Sequence, residues 1–313
     1  MNRSGLYGAC IVSIIEPLIQ QVLIMFLLMG MGYALNRLGI LSEQAAIEFG
    51  KLLINLVIPA IILKSFWIEY SFQRMYELGM TLMLSAAMLL LACVVARLLF
   101  RGRPIDIFAA AFSNAGFVGI PLVEAALGKD AVFFITCMIA LLNAMQWTYG
   151  QYLLSGSKKC MSPKAILTSP MVMALLGGFL IFTLRVPTVP LAQSVLSYIS
   201  GLNTPLAMMT LGIYLAQSDL MALLRAKSLF AVSSVRLLVI PILSLLFLCL
   251  FPCDRSIKMA LLIAAATPTG ANVAIFAQQH NKDYRYACGT VCVTTLLSMF
   301  TMPAIVSLSQ LVL

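Results

Sequence analysis

Two stretches of this sequence combine residues that break helices with residues that can hold a ligand. They are Asn114-Ala115-Gly116-Phe117-Val118-Gly119-Ile120-Pro121 and Thr267-Pro268-Thr269-Gly270-Ala271-Asn272. Proline removes a backbone donor and clashes with the preceding turn, and glycine leaves helical angles at little cost. Both stretches therefore predict unwound segments inside longer helices. Each break creates a new helix amino end with free N–H groups and partial positive charge, and Pro121 suits the first turn of such a half-helix. Two of these ends meeting would cradle a carboxylate or phosphate without a formal cation, and neither stretch contains Lys or Arg. Nearby half-helix carboxyl ends could instead hold a cation. The competing reading is packing alone, because Gly and other small residues let membrane helices approach closely. Asn114, Gly116, Gly119, Pro121, Thr267, Pro268, Thr269, Gly270 and Asn272 are the candidate substrate-binding residues at the breaks.

Other polar residues stand in apolar surroundings. Asn55 and Asn203 either line a substrate path or hydrogen-bond between helices. Asn143 and Gln146 are three apart, so one helical face can present both. Arg236 is costly in lipid and must face protein or water; it would anchor an anion or pair with a carbonyl or carboxylate, the latter being favoured. Glu48 and Lys51 most simply pair with each other. Glu124, one turn beyond the first break, could relay a proton or merely end a helix near a loop. His280 closes an apolar run and carries no evident chemistry.

The elements that must position these residues follow from composition. Of 313 residues, 62% are hydrophobic and 10% charged, with mean hydropathy +1.01. A soluble chain carries roughly 25% charged residues, so lipid must be the solvent for most of this surface. Apolar runs fall near 14–36, 45–66, 78–100, 105–127, 131–154, 165–184, 190–216, 228–251, 257–279 and 284–312. Each approaches the roughly 20 residues that a spanning helix needs, which leaves no length for a separate soluble domain. The first run reads as a retained span and not a signal peptide. The basic excess of 20 Lys+Arg over 11 Asp+Glu sits in short connections, so it reports topology and not a nucleic-acid partner. Loops 97–103 and 158–164 are the richest and fall on the same side, which places both termini outside. The eight cysteines show no zinc-type spacing and read as structural; no metal site or cofactor is expected.

Ser155–Lys164 is the most polar connection and divides the chain into residues 1–154 and 165–313, five runs each. An odd number of spans inserts two similar halves upside down relative to each other, the plan of many secondary transporters. The fourth run, FAAAFSNAGFVGIPLVEAALGKD, and the ninth, LIAAATPTGANVAIFAQQHNKD, both pass from an Ala-rich half through a break to a closing Lys-Asp. LLINLVIPAIIL in the second run and ISGLNTPLAMM in the seventh both place Asn shortly before Pro.

The residues QVLIMFLLMGMGYALNRLGILSEQAAIEFGKLLINLVIPAIIL, NAGFVGIPL, RLLVIP, ATPTGANVAIFAQQHNKD and TTLLSMFTMPAIV resemble, in order and over nearly the whole chain, the auxin efflux carrier family and its bacterial branch. The resemblance implies an all-α polytopic membrane protein with ten transmembrane helices, arranged as two inverted five-helix repeats with the fourth and ninth helices broken and crossed. It implies a scaffold of the first, second, sixth and seventh spans, with the other six moving. It implies a homodimer in the bacterial inner membrane, carrying small organic anions such as malonate, malate or auxin-like acids by an elevator mechanism, with the substrate carboxylate beside Asn114. Thr267 and Thr269, flanking Pro268, depart from the family pattern.

Rival classes are a sodium-coupled carrier of the bile-acid type and a membrane sensor or scaffold. The first needs several oxygen ligands and a buried acid, and acids are sparse here. An enzyme is not expected. The chain has no HExxH motif and one His, and all five Asp fall near the ends of runs, so acid–base catalysis within the membrane lacks its residues.

Overall fold

Apolar sequence in lipid must satisfy its backbone within each segment, and in the computed structural model every described apolar run is helical. Residues 3–157, 167–218 and 225–313 are described. Most of the expected linker, with Lys158, Lys159 and Lys164, lies outside them, as do the start of the sixth run and Asp219.

The helices are α1 (Arg3–Arg37), α2 (Glu43–Phe66), α3 (Phe72–Leu99), α4 (Pro104–Ala111), α5 (Ala115–Leu127), α6 (Lys129–Ser155), α7 (Pro170–Thr183), α8 (Pro190–Ala216), α9 (Lys227–Cys249), α10 (Arg255–Ala266), α11 (Asn272–Gln279) and α12 (Tyr284–Val312). No strand occurs among the described residues. Among the described residues, seven helices are long and apolar enough to cross a membrane: α1, α2, α3, α6, α8, α9 and α12. The other three expected runs appear as shorter pieces. The fourth is the pair α4/α5, the sixth is α7, and the ninth is the pair α10/α11.

Three of the helices share a device. In α2, α5 and α9 an Ile-Pro pair (Pro59, Pro121, Pro241) follows a π-helical turn: Leu53–Val57, Ala115–Gly119 and Val235–Val239. Proline cannot donate to the carbonyl four residues back, and its ring crowds that carbonyl. The widened turn makes room, and the isoleucine before each proline donates instead to the residue five back, Leu53, Ala115 or Val235. These helices therefore pass through their prolines without breaking. A fourth π turn, Gln146–Gly150 in α6, contains no proline; it closes at Gly150, where the Phe108 ring leaves no room for a side chain.

The core is densest along the short helices. Ile107–Phe112 of the α4 region and Met259–Ala266 of α10 are buried without interruption, because runs of alanine let the backbones approach closely. Elsewhere α1 packs along α8. Gly32 meets the backbone of Met209 there and Gly212 that of Met29, with no space for a Cβ at either. Large apolar side chains such as Leu27, Leu90, Phe300 and Leu311 point outward, as a lipid-facing surface requires.

Candidate functional site

The two broken runs pair with each other at their breaks. Asn114 N–H donates to the Pro268 carbonyl at 2.8 Å, and Gly270 N–H donates to the Phe112 carbonyl at 2.9 Å. These bonds flank an antiparallel bridge between Ser113 and Thr269. The unwound backbone of each run is thus satisfied by the other, as broken helices inside a membrane demand. Gly270 suits this closeness, since a Cβ there would sit tightly, 3.1 Å from Gln146 Nε2 and 3.2 Å from the Ser113 carbonyl oxygen.

The first break falls earlier than the sequence suggests. Only Phe112–Asn114 leave the helix, and Gly116, Gly119 and Pro121 belong to α5. The reason is local. Asn114 Oδ1 accepts from Phe117 N–H and caps α5, and the π turn then absorbs Pro121. The second break is where expected, with 267–271 unwound and Asn272 opening α11.

Four half-helix ends meet here. The carboxyl ends of α4 and α10 are gathered by Arg236 of α9, which is 1% exposed. Its guanidinium donates to the carbonyls of Ala110 (3.0 Å) and Ala111 (3.2 Å) in α4, and to Ala265 in α10. Of the two sequence readings of Arg236, pairing with carbonyls is the geometry found. The amino ends of α5 and α11 face a small shared cavity. Helix-opening amides such as those of Ala115 and Gly116, or Asn272, have no acceptor within their own helix by position.

That cavity has a volume of about 20 Å³ and gathers Ser113, Asn114, Gly116, Asn143, Gln146, Gly270 and Asn272 between apolar walls from Ile54, Ile58 and Met171. No charged side chain lines it among the described residues. Asn272 Nδ2 donates to Gln146 Oε1 at 2.6 Å, while Asn143 Nδ2 donates to its own helix at Ile139. Asn114 Nδ2 and Ser113 Oγ are buried, without a hydrogen-bond partner among the described residues. Buried polar groups are rarely left unpaired, so these two mark where a ligand gains most.

Two wider spaces neighbour this cavity. One, of about 520 Å³, is lined by Lys51, Asn55, Trp147, Tyr214, Asn272 and Tyr284, and it shares Ile54 and Asn272 with the central cavity. The other, of about 330 Å³, is lined by Lys64, Pro121, Glu124, Lys129, Asp130 and Asn203. Asn203 Nδ2 reaches the Gly116 carbonyl at 3.2 Å, which ties the second space to the centre.

The remaining sequence candidates are placed elsewhere. Asn55 lies off the central cavity and donates to the Lys51 carbonyl of its own helix. Thr267 and Thr269 are fully buried and turned to backbone: Thr267 Oγ1 donates to Ala264, and Thr269 Oγ1 to Ala109 of α4. The Pro268 carbonyl is occupied by Asn114 N–H, and Gly119 packs against Thr267 and Ala264. Lys51 and Glu48 pair at 3.4 Å, as their spacing suggests. Ser113 is signalled in the sequence only by its place beside Asn114, and Met171 and Tyr214, which also line these spaces, carry no signal at all.

Comparison with known proteins adds an independent finding. A family model described as membrane transport protein matches residues 17–165 and 157–306. An "Uncharacterized transporter" of Methanothermobacter thermautotrophicus is 25% identical over 298 residues, covering 91% of this chain and 96% of that protein. A "Putative malonate transporter" of Rhizobium meliloti is 27% identical over 215 residues, 64% of this chain and 65% of that protein.

Proposed function

The chain belongs to the membrane transport protein family, the auxin efflux carriers its motifs resemble, and we propose that this multi-pass membrane transporter is a secondary carrier of small organic anions. The cargo class is mono- or dicarboxylates: malonate, malate or auxin-like acids. The observation that carries the reading is the uncharged central cavity onto which two half-helix amino ends open. Such ends favour an anion through oriented N–H groups and dipole. Asn114 Nδ2 is the unspent donor beside them. The similarity to a protein named for malonate transport points the same way.

In this reading residues 1–154 and 165–313 are two inverted five-helix repeats joined by 155–164, giving ten spans with both termini outside the bacterial inner membrane. Asn114, Gly116, Asn143, Gln146, Gly270 and Asn272 form the binding site. Asn55 and Asn203 stand at its two approaches. A cavity of about 20 Å³ is close to the size of a single water, so a carboxylate needs the site to widen. That requirement favours alternating access, in which α3–α6 and α9–α12 move as a block past α1, α2, α7 and α8. The pairing of the two breaks, and the hold of Arg236 on both α4 and α10, keep the moving block together. The working unit is taken to be a homodimer.

The test is uptake into proteoliposomes, with thermal-shift titration of the purified protein, against a panel of carboxylates, amines and neutral sugars. Stabilisation and uptake confined to carboxylates are expected. A response to amines or sugars alone would replace the reading.

A further inference from the structure

The cation at the crossing raises the question of what drives transport. Three backbone carbonyls, those of Ala110, Ala111 and Ala265, converge from two half-helix carboxyl ends. Convergent carbonyls at such ends are the kind of site at which carriers with broken helices bind a coupling cation. Here the guanidinium of Arg236 fills it. Among the described residues no carboxylate pairs with that guanidinium, so its charge is not cancelled by a neighbouring acid.

The electrostatic consequence can be counted. Each helix end carries on the order of half an elementary charge, positive at the amino end and negative at the carboxyl end. At the crossing the amino ends of α5 and α11 and the carboxyl ends of α4 and α10 would cancel. With Arg236 bound to the carboxyl ends, the crossing retains about one net positive charge, beside a cavity with no charged side chain. Water exclusion strengthens that field relative to solution.

We infer that Arg236 is a built-in counter-cation: it takes the place of a co-transported metal ion at the crossing, so the carrier binds its anion without sodium. The inference rests on the anion-carrier reading and deepens it. Arg236 acts through the half-helices and does not touch the cavity, so it is a positioning residue.

The experiment uses the full chain, with malonate as probe, in sodium chloride and in choline chloride. The wild-type malonate titration should be the same in both salts. Arg236→Ala should weaken malonate binding about tenfold or more, the loss expected for a charge removed from a water-excluded site. Millimolar guanidinium should restore the variant's affinity and its melting temperature, while choline should not. A wild-type response that requires sodium, or an Arg236→Ala variant that binds malonate at full affinity, would overturn the inference. Guanidinium that restores melting but not affinity would reduce Arg236 to a strut and overturn it equally. If Arg236→Ala does not fold, Arg236→Lys replaces it and should retain a sodium-independent response, a gained sodium requirement being the contrary result. Wild-type protein that answers to no carboxylate in either salt would remove the cargo assignment instead. The inference falls with that assignment, whereas the outcomes above overturn the inference and leave the cargo assignment standing.

Discussion

The backbone N–H of Asn114 and the carbonyl of Pro268 meet at 2.8 Å, although the residues are far apart in sequence and each lies in the break of a different helix. The same contact consumes the one group that Pro268 has to offer and fixes Asn114 so that its side chain caps α5. A residue chosen for breaking one helix thus starts another.

Asn114→Ala should weaken carboxylate binding by about 1–3 kcal/mol, the cost of losing a buried hydrogen-bonding group, and lower stability by about 1 kcal/mol through the lost cap. Asn114→Ser separates the two. Its oxygen keeps the cap but it lacks the amide donor, so melting should recover while the carboxylate titration does not. Normal affinity in both variants would exclude Asn114 from the site.

Gly270→Ala should destabilise the protein by about 1–3 kcal/mol, as overpacking does, because the new methyl presses on the Ser113 carbonyl and Gln146. Gly30→Ala, where nothing lies within 4 Å, should leave melting unchanged or slightly raised. Thermal unfolding in detergent compares them directly.

Thr269→Val should cost about 1–3 kcal/mol of stability by orphaning the Ala109 carbonyl. Affinity for malonate, measured per folded molecule, should not change, since the hydroxyl faces away from the cavity. A selective loss of affinity would return Thr269 to the lining.

Joining α2 to α5 should stop transport. In a cysteine-free background, Ile61→Cys with Ile120→Cys, both on the wall of the smaller space, bridged by a bifunctional thiol reagent, is expected to abolish uptake reversibly. A bridge between α5 and α6 should leave it intact. Full uptake with the first pair bridged would rule out relative movement of the two groups.

Much of this arrangement was legible in the sequence because Gly, Pro and Asn in apolar runs have strong local consequences. The breaks and the Glu48–Lys51 pair follow from spacing alone. The first break was placed late because Pro121 looks like the interruption, whereas a π turn carries the helix through it and the true interruption is Phe112–Asn114. The partners of Arg236 were hidden for a different reason. They are backbone carbonyls, which no residue type announces, brought in from more than a hundred residues away in the case of Ala110. The direction of Thr267 and Thr269 was equally unreadable, since a hydroxyl beside a break can serve a ligand or a neighbouring strand of backbone with the same sequence.

The π turns before Pro59, Pro121 and Pro241 have a consequence for helical phase. A π turn is in effect one extra residue wound into an α-helix, and one residue corresponds to about 100° of rotation. Everything after each proline is therefore turned by about that angle relative to an uninterrupted helix. The faces before and after the proline are two separate stripes, each with its own periodicity. Deleting a single residue within one of these turns would wind it back to an α turn and leave the far half of the helix facing as it does, whereas deleting one outside the turn would rotate that half by about 100°.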